Sequence, residues 1–154
     1  MKKRLILLVL LTLSAFMIVV IGMAQTRDEF KQKYGAPDVK GRYIVRPEIG
    51  LSIEYKQGQS PFEMVIKPHD SDTKDTSEPD KENSPKVMPS DEAEEVLDEL
   101  VPVSKRGEKI SAANTSHGCP FSNYTEYERL TILIVKRCEQ RGGGTYSITI
   151  RWKE

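Results

Sequence analysis

Along the chain from residue 51, apolar and polar side chains alternate in a way only an extended strand satisfies. Leu51, Ile53 and Tyr55 fall on one side of LSIEYK, with Ser52, Glu54 and Lys56 on the other. In PFEMVIK, Phe62, Met64 and Ile66 share a face opposite Glu63 and Lys67, and QGQS between the two runs supplies a turn. Successive side chains of a strand point to opposite faces, so this pattern predicts a hairpin with one buried face. Tyr43 and Val45 predict a shorter strand before it. The same alternation returns in TYSITIRW, where Tyr146, Ile148, Ile150 and Trp152 oppose Thr145, Ser147, Thr149 and Arg151. Just upstream, TILIV within YERLTILIVKRC is apolar at every position but the first, which predicts an inner strand covered on both faces. RGGG reads as the turn joining these two strands.

Helical spacing appears twice. Gln25–Tyr34 predicts a short helix capped by Thr26, with Asp28 and Glu29 at its positive end and Phe30 and Tyr34 on one face; Gly35 and Pro37 end it. PSDEAEEVLDELVP predicts the stronger helix, capped by Ser90 or Asp91. Ala93, Val96, Leu97, Leu100 and Val101 form its apolar stripe, and Pro102 ends it. Its acidic residues Glu94, Glu95, Asp98 and Glu99 read as the wet face. Residues 104–125 read as loop. Between residues 69 and 86, HDSDTKDTSEPDKENSPK has no aliphatic or aromatic side chain, so little burial is available to offset ordering, and it reads as a disordered polar linker. The expected architecture is α+β: an antiparallel sheet of four to five strands with one or two helices on one face. Residues 25–67 (helix plus meander) and 87–154 (helix plus long hairpin) share that sheet, and the linker 68–86 interrupts it.

The first 24 residues change the picture. Lys2, Lys3 and Arg4 precede an uncharged apolar run, and Gly22 and Ala24 are small residues before a cut at Gln25. This is the layout of an export signal, with an uncleaved membrane anchor as the alternative. The chain is therefore expected outside the cytoplasm, periplasmic or secreted, in a bacterial host. Removing three basic residues from a balance of 23 basic and 23 acidic leaves 20 against 23, a net charge of −3. A mildly acidic domain without a basic stripe has no electrostatic reason to bind nucleic acid.

Export gives SHGCPFSNY its meaning. The chain has two cysteines, Cys119 and Cys138, and in an oxidising compartment two cysteines most often pair. Alternatively, Cys119 is a nucleophile with His117 as its base, or His117, Cys119 and Cys138 with distant His69 are metal ligands. The first needs an orienting third group, and the second shows no finger or ribbon spacing. Asp70, Asp72 and Asp75 approximate a calcium loop but lack its glycine and late glutamate. Asn114 and Asn123 begin glycosylation sequons, which are chance matches in a bacterial host. No hydrolase elbow, zinc helix, phosphate loop or dinucleotide fingerprint is present, so neither catalytic residues nor cofactors are expected.

From Phe30 to Lys67 the order is F-x-x-x-Y-G-x-P-D, then strand, turn and strand. It resembles small exported bacterial domains in which a short helix ending in a G-x-P turn precedes a β-meander, the plan of the outer-membrane assembly lipoproteins of the SmpA/OmlA type. The resemblance implies an envelope protein, without the lipidated cysteine of that family and with no functional residue to carry over. The functional expectation is an exported non-enzymatic protein binding another protein or an envelope component. Arg106, Asn123, Tyr124 and Arg141 are its surface candidates. A small thiol-dependent enzyme using His117 and Cys119, or a membrane-tethered domain, are the alternatives.

Overall fold

The computed structural model describes residues 26–56, 61–69, 85–115 and 118–153. Residues 1–25, read as an export signal, residues 57–60, read as a turn, His117 and nearly all of the segment read as a polar linker, including Asp70, Asp72 and Asp75, lie outside the described residues.

Helix α1 (Arg27–Tyr34) starts two residues later than its pattern suggests, and Thr26 caps it as expected. The Thr26 hydroxyl accepts from the Glu29 amide, while the Glu29 carboxylate accepts from the Thr26 amide, a reciprocal capping box. After Gly35 the G-x-P-D turn is organised by Asp38. Its carboxylate accepts from the backbone amides of Lys40 and Arg42 at 2.9 and 2.8 Å and from the Arg42 side chain at 3.0 Å. Those donors, the Arg42 amide foremost, hold the Asp38 carboxyl below its ordinary range.

Three strands follow: β1 (Tyr43–Arg46), β2 (Ile49–Tyr55) and β3 (Pro61–Pro68). Met88 then pairs with Thr145 through two backbone hydrogen bonds of 2.8 Å, which sets the entry to helix α2 (Ser90–Leu100). Neither Ser90 nor Asp91 caps α2. Pro89 is the N-cap residue, and the Ser90 hydroxyl lies 3.0 Å from that of Thr145, so a tertiary hydrogen bond takes the group the sequence assigned to a local one. A short helix α3 (Val103–Arg106) leads to β4 (Lys109–Thr115), β5 (Phe121–Tyr127), β6 (Leu130–Lys136), a 3₁₀ turn at Glu139–Arg141 and β7 (Thr145–Trp152).

The sheet is a single antiparallel one of seven strands, ordered β1-β2-β3-β7-β6-β5-β4. It is α+β as expected, with more than the four to five strands expected. The difference is β4 and β5, which replace the loop read over residues 104–125. Neither KISAANT nor FSNYTEY carries an aliphatic stripe, so backbone pairing rather than side-chain burial defines them. The N-terminal meander and the C-terminal four strands meet where β3 pairs with β7, Met64 opposite Ile150 and Ile66 opposite Ile148.

Helices α1 and α2 cover one face of the sheet. Under them Phe30, Leu51, Met64, Ile66, Leu130, Ile148 and Ile150 are buried with the α2 stripe of Ala93, Val96, Leu97 and Leu100. Each large side chain withdrawn from water here contributes roughly 1.5–3 kcal/mol. Tight approach at one corner fixes a glycine: at Gly144, with φ of +104°, an added Cβ would lie 2.6 Å from Val87 Cγ2. The opposite face of the sheet has no described helix or strand against it. TILIV is therefore covered on one side, not two: Ile132 is buried, while Leu133 on the other face is 37% exposed.

Candidate functional site: an open sheet edge and face

The sulfurs of Cys119 and Cys138 are joined, with Cα atoms 5.7 Å apart. The bond ties the β4–β5 connection, at the cis Cys119–Pro120 peptide, to the chain leaving β6, and the Cys138 amide donates to Cys119 Sγ at 3.1 Å. It leaves no free cysteine, so the thiolate that a His117–Cys119 pair would require is consumed. His117 itself lies outside the described residues. Among the described residues no group of three His, Cys, Asp or Glu side chains is placed to hold a metal ion, and no helix is long and apolar enough to cross a membrane.

The four surface candidates do not converge. Arg106 is buried at 6% exposure. Its Nε donates to the Val101 carbonyl at 2.8 Å, its guanidinium pairs with Asp98, and it lies over the Tyr127 ring. Those contacts close the end of α2 onto β5, so its charge is used inside the fold. Asn123 and Tyr124 are successive residues of β5 and point to opposite faces, Tyr124 on the open one. Arg141 is exposed in the 3₁₀ turn after β6, at the far end of the sheet from Arg106.

What the structure brings forward instead is β4. All seven of its residues are exposed, and among the described residues it pairs with β5 alone. One row of its backbone amides and carbonyls therefore has no partner among the described strands. The other edge is treated differently. β1 is four residues long, contacts α1, carries an irregularity between Ile44 and Arg46, and is followed by Pro47. The Arg46 side chain also donates to the Val45 carbonyl at 2.8 Å. Short length, irregularity, charge and proline are the usual devices that blunt a sheet edge. β4 is longer, its residues 110–115 include no charge and no proline, and its one irregularity lies near its start, between Lys109 and Ser111, leaving Ser111–Thr115 regularly paired with β5. Only Lys109, at its first position, is charged.

The open face runs back from this edge. Val65, Thr149, Leu133, Tyr124 and Ala113 form one cross-strand row on it. It is flanked by the Arg151–Glu63 pair, with Nε to carboxylate 2.8 Å, and by Glu126, which accepts from Ser111 at 3.0 Å and Lys153 at 2.7 Å. These donors, Lys153 first, hold the Glu126 carboxyl below its ordinary value. The sequence carried a signal for this edge: a ten-residue run without glycine or proline, between Gly107 and Gly118, ahead of a strand.

Comparison with protein-family models, curated proteins and solved structures returned no match.

Proposed function

We propose that this chain is an exported, non-enzymatic binding protein whose partner is a polypeptide that adds an extended strand along β4. The observation that carries the reading is the exposure of β4 over its full length, beside a β1 edge that is blunted. Strand addition derives its affinity from main-chain hydrogen bonds, and a strand already held flat by its neighbour has little ordering left to lose. The disulfide supports the reading twice. It anchors the connection that positions β4, and it suits the oxidising compartment that the apolar N-terminal segment implies. The periplasm or the cell exterior is the corresponding location.

The test uses proline as a backbone probe. Successive amides of a strand point to opposite edges, so one of Ala112→Pro and Ala113→Pro removes an outward donor while sparing the β4–β5 ladder. The chain purified from an exporting host is offered envelope extract, and capture is compared for wild type and for whichever variant keeps the wild-type melting temperature. Polypeptide capture that the proline abolishes supports the reading. Capture unchanged by it, or no polypeptide captured by wild type, overturns it.

A further inference from the structure

We infer that the Cys119–Cys138 bond is a redox-sensitive clasp: closed, it holds β4 and β5 flat for strand addition, and opened by a dithiol reductant it lets β4 peel from the sheet while the helix-covered core stays folded. The inference rests on the strand-addition reading above and names the regulation of that site.

The bond sits where the fold has no buried side chains to hold it. Phe121 of β5 pairs with Lys136 of β6, and Cys119 and Cys138 lie two places beyond them on the same register. They close the open end of a hairpin whose strands are joined through Glu128 and Arg129. Burial along β6 fades toward that end: Leu130 and Ile132 are buried, whereas no residue from Leu133 to Lys136 is. β5 has no buried residue, and all of β4 is exposed. Cohesion of this corner rests on backbone ladders, whose hydrogen bonds contribute little beyond those water would make. Strands held in this way belong to the least stable part of a fold.

The two ends of β4 are anchored differently. Near Lys109 the Glu128 amide donates to the Glu108 carbonyl at 2.8 Å and the Arg129 amide to the Arg106 carbonyl at 3.2 Å, while the Glu126 carboxylate accepts from Ser111 and Lys153. Beyond the ladders, the ties described toward the Thr115 end are the disulfide and, on β6, the exposed Lys136–Glu94 pair. Cys138 is also a junction. Its carbonyl accepts from the Arg141 and Gly143 amides at 3.0 and 3.1 Å, so the bond joins the β4–β5 connection to the turn that leads into β7. Opening the bond frees the Thr115 end of β4 and leaves the Lys109 end as the pivot.

Both cysteines are partly exposed, so a thiolate can reach the bond. One thiolate of a dithiol attacks Cys138 Sγ and forms a mixed disulfide. Cys119 Sγ leaves as a thiolate facing the Cys138 amide, which donates to it at 3.1 Å. The second thiolate of the reductant then displaces Cys138 Sγ, and both cysteine thiolates take up protons. The protein has gained two electrons and two protons, and the reductant departs as its own disulfide. A β4 no longer held flat must be ordered again by the strand that adds to it, which lowers the affinity.

Amide hydrogen exchange tests this on the full chain from an exporting host, before and after millimolar dithiothreitol without denaturant, and on the Cys119→Ser/Cys138→Ser double variant without reductant. In both open forms the amides pairing β4 with β5 should exchange roughly tenfold faster than in the closed form, and those pairing β3 with β7 should stay protected. Unchanged β4–β5 exchange, loss of β3–β7 protection along with it, or a bond that dithiothreitol opens only in denaturant overturns the inference. Capture of envelope polypeptide, as in the proline test, is then compared for the closed and open forms. A drop of roughly fivefold or more on opening supports the regulation. Equal capture by both forms overturns the regulation and leaves strand addition standing. Exchange that responds as expected, with no capture by either form, supports the clasp and overturns strand addition, so the two fail separately.

Discussion

Replacing Glu99 by glutamine removes the one carboxylate that joins three elements. Its Oε1 accepts from Lys33 at 2.8 Å and from the Tyr34 hydroxyl at 2.8 Å on α1, while Oε2 accepts from Arg46 of β1 at 2.7 Å. These bonds, with Lys33 the largest cause and Arg46 next, hold the Glu99 carboxyl at about 2 instead of its ordinary 4.5. The gap of 2.5 sets a ceiling of about 3.4 kcal/mol on what the charged form contributes. Side-chain exposures of 43% for Lys33, 36% for Arg46 and 29% for Glu99 leave much of that screened by water. About 1–2 kcal/mol is expected for Glu99→Gln near neutral pH. A folded carboxyl held below its unfolded value stabilises the fold above pH 4.5, and that contribution falls away as pH drops toward 2. Urea denaturation of wild type and Glu99→Gln over an acid-to-neutral series measures both. The difference between them should be full above pH 5 and shrink steadily in acid. A variant as stable as wild type at neutral pH, or a difference that persists undiminished near pH 2, refutes the reasoning.

Replacing both Cys119 and Cys138 by serine reopens a link across a sequence separation of 19 residues. The chain-entropy account gives a loss of about 3 kcal/mol, read from denaturant midpoints of the oxidised wild type and the double variant. Ile66→Ala, at a fully buried position where β3 meets β7, is expected to cost about 2–5 kcal/mol in the same assay. The two faces of β6 should respond oppositely to a carboxylate: Leu133→Glu stays within about 0.5 kcal/mol of wild type, while Ile132→Glu prevents stable folding at 25 °C, both followed by circular dichroism.

Much of the helix-covered layer could be read from side-chain pattern, because burial writes a period into the sequence. Leu51, Met64, Ile66, Ile148 and Ile150 are buried where alternation placed them, and Ala93, Val96, Leu97, Leu100 and Val101 form the stripe their spacing gave. What escaped was set by partners distant in sequence. Ser90 looks like a helix cap until Thr145, 55 residues on, takes its hydroxyl. Glu99 looks like a wet-face residue until Lys33, Tyr34 and Arg46 surround it. Arg106 looks like a surface charge until the end of α2 folds over it. β4 was the hardest to see, since a strand exposed on both faces has no apolar side to reveal it. The same exposure makes it the candidate site, so the residues that hid the strand are those the binding reading depends on.

The last strand in chain order stands at the middle of the sheet. β7 is fourth of seven across, and it joins Glu63 to Arg151 over a sequence separation of 88. Contact order is therefore high at the centre and low toward the β4 side, where β4, β5, β6 and β7 are successive hairpins. The C-terminal hairpins have the cheaper loop closures and are placed to form first. The N-terminal meander joins the rest of the sheet only through β7. Until β7 is present, the N-terminal meander and the β4–β6 hairpins have no strand between them, so the buried layer under α1 and α2 closes only when β7 pairs with β3 and β6 together.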